Sequence, residues 1–177
     1  METMKLIREF AQKLKNLEVS QREVWQETER VLTTLYKARL FTVLFHDDRN
    51  GLLVRLYSSN EALNPVGGKK RVSRSRWSET VLRKGEVFIA PDKEALISVF
   101  PDAPELISYG CESVLNLPVK FQGKVIGSIN LMHEEHSYDR ADLSPALVII
   151  QMLVPYILDG GFESCRDEMP GIVTAIV

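Results

Sequence analysis

Four groups of side chains in this sequence have types and spacing that could do chemistry. The first is Cys111, one of two cysteines, set between Gly110 and Glu112. A reactive thiolate needs cations or a helix N-terminus beside it. The Glu112 carboxylate acts the other way, so a buried, inert thiol is expected. The second is His133-Glu134-Glu135-His136, whose imidazoles and carboxylates suit zinc or iron. Along a strand end, successive side chains point to opposite faces, and no distant cluster completes the set. No metal is expected there, and His133 is read as a hydrogen-bonded residue fixing a loop over a pocket. The third group is Asn116, Ser128 and Asn130, polar groups among aliphatic neighbours, together with Trp77. Such groups orient a small ligand in an apolar pocket, and an indole either stacks on that ligand or plugs the core. The fourth is a run of six basic residues, Lys69, Lys70, Arg71, Arg74, Arg76 and Arg83. Solvated, they do nothing specific; overhanging a cavity, they favour a carboxylate or phosphate. No Ser-His-Asp order, phosphate-binding loop or dinucleotide glycine pattern occurs.

The element that must position the third group is a hairpin within residues 109–143. A three-residue turn at Phe121-Gln122-Gly123, with Gly123 left-handed, pairs Lys120 with Lys124, Leu115 with Ile129 and Asn116 with Ser128. That register makes one face aliphatic (Leu115, Leu117, Val119, Val125, Ile129, Leu131) and leaves Asn116, Ser128 and Asn130 on the other. A two-residue loop would set polar against apolar across the ladder. The polar-dotted face is either solvated or a pocket wall.

Upstream, Leu6, Ile7, Phe10, Ala11, Leu14 and Leu17 have helical spacing over residues 4–17. Ser20 and Glu23 form a capping box for a second helix with the stripe Val24, Trp25, Thr28, Val31, Leu32 and Leu35. These helices cover a sheet or form a dimer seam. Strands are expected over 40–46 and 52–58, an irregular stretch from Glu61 to Arg76, and a short helix from Trp77 stopped by Gly85. A brief strand over 87–90 and a helix near 93–100 follow. After the hairpin comes a terminal helix over about 141–158, kinked or ended by Pro155. The tail from Gly160 is an edge strand, a partner contact or a disordered end.

A net charge of −2 from 22 basic and 24 acidic residues argues neither for nucleic acid nor for a membrane surface, and neither partner is expected. No apolar run approaches the ~20 residues that span a bilayer, and no signal-peptide core is present. The cytoplasm is the expected compartment, and no cofactor is expected.

The chain resembles a GAF domain over about residues 24–158. The residues that carry the resemblance are Gly85 to Ala90, Ser113 to Val119, Gly123 with Ile126 to Leu131, and Tyr138 with Asp142-Leu143. It is more narrowly similar to small stand-alone bacterial GAF proteins through Pro65-Val66-Gly67-Gly68, Trp77, Gly110-Cys111 and Asn130-Leu131-Met132-His133-Glu134. The resemblance implies an α+β sandwich: a six-stranded antiparallel sheet, terminal helices on one face, and pocket-forming helices and loops on the other. It also implies a small-molecule sensor or regulatory module, often dimeric. Three subtypes fit poorly. The cyclic-nucleotide pattern reads His133-Glu134, Tyr138 and Asp142-Leu143 here, the bilin Cys-His reads Cys111-Glu112, and the cysteine spacing of free methionine-R-sulfoxide reductases is not met.

The expected organisation is an N-terminal helix over 1–19, a GAF domain over 20–159 and a tail over 160–177. The expected function is non-enzymatic binding of a small molecule by a homodimer, with Trp77, Cys111, Asn116, Ser128, Asn130 and His133 as ligand-contacting residues. The alternatives are reduction of a small sulfoxide through Cys111, and a dimerisation or interaction module with a filled cavity.

Overall fold

The computed structural model of the chain describes residues 2–15, 20–166 and 175–176. The capping box forms as expected and opens α2 (Gln21–Tyr36). The Ser20 hydroxyl accepts from the Glu23 amide at 3.3 Å, and the Glu23 carboxylate accepts from the Ser20 amide at 2.8 Å. Two otherwise orphaned N–H groups are thereby satisfied. Its stripe buries Val24, Trp25, Thr28, Val31 and Leu32, with Leu35 half-buried at the margin. Helix α1 (Glu2–Leu14) adds Ile7 and Phe10 to the same core, and Leu6 and Leu14 pack against it. It lies on α2 and on α5 (Ser144–Gln151). The stripe of α1 is therefore covered within the chain, which removes the need for a dimer seam to bury it. Leu17 falls outside the described residues.

The sheet runs β4-β5-β6-β1-β2-β3, all antiparallel. Its strands are β1 (Leu40–Asp47), β2 (Leu52–Ser58), β3 (Lys69–Arg71), β4 (Phe88–Ala90), β5 (Ser113–Phe121) and β6 (Lys124–His133). A two-residue β7 (Ala175–Ile176) lies parallel beside β3. The irregular stretch expected from Glu61 to Arg76 therefore contains a strand: Lys69–Arg71 pairs with Val54, Leu53 and Leu52 at the end of β2.

The hairpin register departs from expectation. The loop has two residues, Gln122 and Gly123, both left-handed at φ 49° and 77°, the geometry whose twist matches the flanking strands. A bulge follows: Val119 faces Gly127 while Lys120 faces Val125, leaving Ile126 as the extra residue. Beyond the bulge the register lies two residues from the expected one, so Leu115 faces Leu131 and Asn116 faces Asn130. A shift of two preserves which face each side chain takes. Leu115, Leu117, Val119, Ile129 and Leu131 accordingly join the helix-side core, while Val125, on the turn side of the bulge, packs on the opposite face.

The terminal helix is two. Helix α5 and α6 (Val154–Arg166) meet at 53° across Met152-Leu153, with Pro155 in the first turn of α6, where its missing N–H costs little. Helix α6 runs through Gly160 and Gly161, past the end expected near residue 158. A Cβ on Gly161 would sit 2.3 Å from the Phe45 ring, so these glycines let α6 lie against the sheet.

On the other face a roof is built from three short elements. The segment after Trp77 is a π-helix over Ser78–Lys84, closed by Gly85 at φ 63°. Helix α3 (Lys93–Val99) is capped by the Asp92 carboxylate, which accepts from the Ala95 amide at 2.8 Å. Helix α4 (Ala103–Ser108) follows, with Pro104 in its first turn. Trp77, Val81, Leu82, Leu96, Leu106 and Phe88 form a second core with Leu40, Leu53 and Val114 of the sheet. Among the described residues no single helix is long and apolar enough to cross a membrane.

Candidate ligand-binding site

The sheet register decides the site. Asn116 on β5 lies directly opposite Asn130 on β6, which lies directly opposite Thr42 on β1. Three polar side chains thus stand in one row across three adjacent strands, on the face under the roof. They are joined end to end. Trp77 Nε1–H donates to Asn116 Oδ1 at 3.1 Å, Asn116 Nδ2 to Asn130 Oδ1 at 2.6 Å, and Asn130 Nδ2 to Thr42 Oγ1 at 3.1 Å. All four residues are buried, as buried amides require when paired. The π-helix that follows Trp77 packs on β5 and β6.

This row walls a cavity of about 50 Å³, room for about two waters. Leu44, Leu53 and Met132 supply apolar floor, and Phe100 and Leu106 close it from the roof. The opposite end is charged, with Arg55, Lys70 and Asp102. Arg55 is 8 % exposed and is held by the turn from Pro65 to Gly68. Its amide donates to Gly68 O at 2.9 Å, its carbonyl accepts from the Gly67 amide at 2.8 Å, and its Nη1 donates to Pro65 O at 3.2 Å. Burial lowers its pKa from the ordinary value, partly opposed by Asp102; an arginine nonetheless stays charged. Lys70 Nζ donates to Asp102 Oδ2 at 2.9 Å. Asp102 stands at the N-cap of α4 but makes no capping bond with its side chain.

Of the residues singled out from sequence, the structure brings Trp77, Asn116 and Asn130 together. Ser128 is fully buried on the cavity side of β6 but outside the cavity wall, and its hydroxyl has no hydrogen-bond partner among the described residues. Cys111 is 2 % exposed and packs in the roof core. Burial pushes its thiol up to about 11, against the weaker opposing charge of Arg39. At neutral pH it is a thiol, with little nucleophilic character. His133 ends β6 at the surface, its Nδ1 accepting from the Glu134 amide at 2.6 Å. Its neighbours disperse: Glu134 pairs with Arg39, Glu135 lies 3.8 Å from Lys93, and His136 Nδ1 is 2.9 Å from Asp139. Among the described residues no three His, Cys, Asp or Glu side chains converge on a metal position. Of the six basic residues only Lys70 reaches the cavity; Arg74, Arg76 and Arg83 line a surface depression.

Arg55, Asp102 and Thr42 were missed. For Arg55 a signal existed, since it shares strand parity with Leu53 and so faces inward with it. Asp102 gave no such signal, because it reaches the site only through the packing of the roof.

A two-faced antiparallel sheet, with terminal helices on one side and a short-helix roof over a cavity on the other, defines an α+β sandwich domain. A family model for the GAF domain matches residues 18–149, and the chain belongs to the GAF family, a fold of small-molecule-binding sensory and regulatory modules. Among solved structures it is similar to the GAF domain of a phosphoenolpyruvate-protein phosphotransferase from Coxiella burnetii (16% identity, TM-score 0.68, 93% of this chain and 95% of that one). It is similar to a type II free methionine-R-sulfoxide reductase from Thermoplasma acidophilum (16% identity, TM-score 0.62, 78% and 92%). It also resembles the phycoerythrobilin-bound GAF domain of a cyanobacterial phytochrome (12% identity, TM-score 0.60, 93% and 97%). At these identities the likeness is one of fold. No curated protein matches the chain in sequence.

Proposed function

We propose that this GAF domain is a non-enzymatic sensor, a cytoplasmic homodimer that binds a small organic molecule in the cavity beneath α3 and α4. The reading rests on one observation: a buried hydrogen-bonded row from Trp77 to Thr42 lines a cavity instead of filling it. A ligand that bonds those amides and touches Phe100 and Leu106 has different affinity for open and closed positions of the roof. That difference is what allows binding to shift a population. Sulfoxide reduction through Cys111 is disfavoured by its burial and raised thiol pKa. The exposed Leu147 and Val148 on α5 support a helix-mediated dimer.

Native and denaturing mass spectrometry of freshly purified protein test the reading. A reproducible small mass lost on denaturation, from a species of twice the chain mass, is the expected result. A ligand-free dimer that no metabolite stabilises would favour the interaction-module alternative.

A further inference from the structure

Resting on that reading, we infer that the cavity takes a small monocarboxylate, anchored by Arg55. Three observations carry this. Arg55 is more than nine-tenths buried, lines the cavity, and its Nε has no hydrogen-bond partner among the described residues. A buried, charged donor left unmade is costly, and a carboxylate is the group whose geometry fits a guanidinium edge. The Pro65–Gly68 turn holds the arginine by its backbone and by Nη1, so the guanidinium is positioned before any ligand arrives.

Charge and size narrow the class. Arg55 and Lys70 contribute two positive charges and Asp102 one negative. The cavity thus carries one net positive charge, matched by a monoanion and exceeded by a dianion. The cavity is small, about 50 Å³, so the acid is a short one. The apolar floor of Leu44, Leu53 and Met132 receives its short tail, and the amide row can bond a hydroxyl or keto oxygen on it. Asp102 has a second role. It gives up capping α4 to bond Lys70, and it sits between Phe100 and Leu106, the two roof residues over the cavity. The Lys70–Asp102 pair is the latch through which an arriving carboxylate, competing for Lys70, is felt by α3 and α4.

The test is the melting temperature of the full chain titrated with sodium propanoate at millimolar concentration, against sodium chloride at equal ionic strength. Propanamide and sodium sulfate are the controls. Propanoate should raise the melting temperature saturably, and propanamide and sulfate should not. Arg55→Gln should weaken the propanoate response roughly 10- to 100-fold, the loss expected for a hydrogen bond to a charged group. Asp102→Asn removes the internal competitor and should strengthen the response, which keeps the inference testable if Arg55→Gln does not fold. A response to propanamide equal to that for propanoate overturns the carboxylate assignment and leaves the sensor reading standing. A response to sulfate equal to propanoate overturns it likewise, in favour of a general anion site. Weaker binding in Asp102→Asn refutes the competition. Silence toward every probe, with no mass released on denaturation, overturns the sensor reading as well.

Discussion

Replacing Asn116 and Asn130 by alanine, singly and together, should reveal a large non-additivity. Asn116→Ala strands Trp77 Nε1–H and Asn130 Oδ1; Asn130→Ala strands Asn116 Nδ2 and Thr42 Oγ1. An unsatisfied buried polar group costs about 1–3 kcal/mol, and each single variant strands two, so each should lose at least about 2 kcal/mol. The double variant leaves only Trp77 Nε1–H and Thr42 Oγ1 stranded, two groups where additivity would count four. It should therefore cost about as much as either single, so the interaction energy equals one single's loss in magnitude, at least about 2 kcal/mol and toward the upper end of the range for bonded neighbours. Water entering through the adjoining cavity would blunt the singles and leave an interaction energy of about 1 kcal/mol. Urea unfolding followed by tryptophan fluorescence measures all four proteins, with an unchanged slope required for the comparison. Additivity to within about 0.5 kcal/mol would refute the bonded row, and with it the main support for the site.

Three further expectations follow from particular contacts. Gly161→Ala would drive a methyl into the Phe45 ring, 2.3 Å away; it should lose about 1–3 kcal/mol in urea unfolding despite alanine's better helix propensity. Ser20→Ala removes the capping box of α2 and should cost about 1 kcal/mol by the same measurement. Cys111 should react with iodoacetamide roughly 200-fold more slowly than a free thiol at pH 8, judged by peptide mapping that separates it from Cys165. Its folded value lies above the unfolded one, so its contribution to stability is complete below about pH 8.5 and is lost as the pH rises through about 11.

Local chemistry carried much of the fold. The capping box at Ser20, the stripes of α1 and α2, the strands at Leu40 and Leu52 and the left-handed Gly85 all depend on interactions within a few residues. Such interactions are present in the order of the amino acids. The two faces of the hairpin were legible for the same reason, since strand parity survives a register error of two. The register itself was not, because the Gln122-Gly123 turn and the bulge at Ile126 compensate each other, and only the whole ladder decides between such pairs.

The candidate site divides along the same line. Sequence determined that Asn116 and Asn130 lie on one face with apolar neighbours, and that a tryptophan precedes a helical turn nearby. Tertiary structure decided that the two amides face each other and bond to Trp77 and Thr42, and that His133 and Cys111 lie elsewhere. It also decided that Arg55, Lys70 and Asp102, from β2, β3 and the roof, meet at one end of the cavity. The physical reason is separation along the chain. Periodicity reports which side of an element a residue takes, whereas a site assembled from seven segments exists only once packing has closed the loops between them.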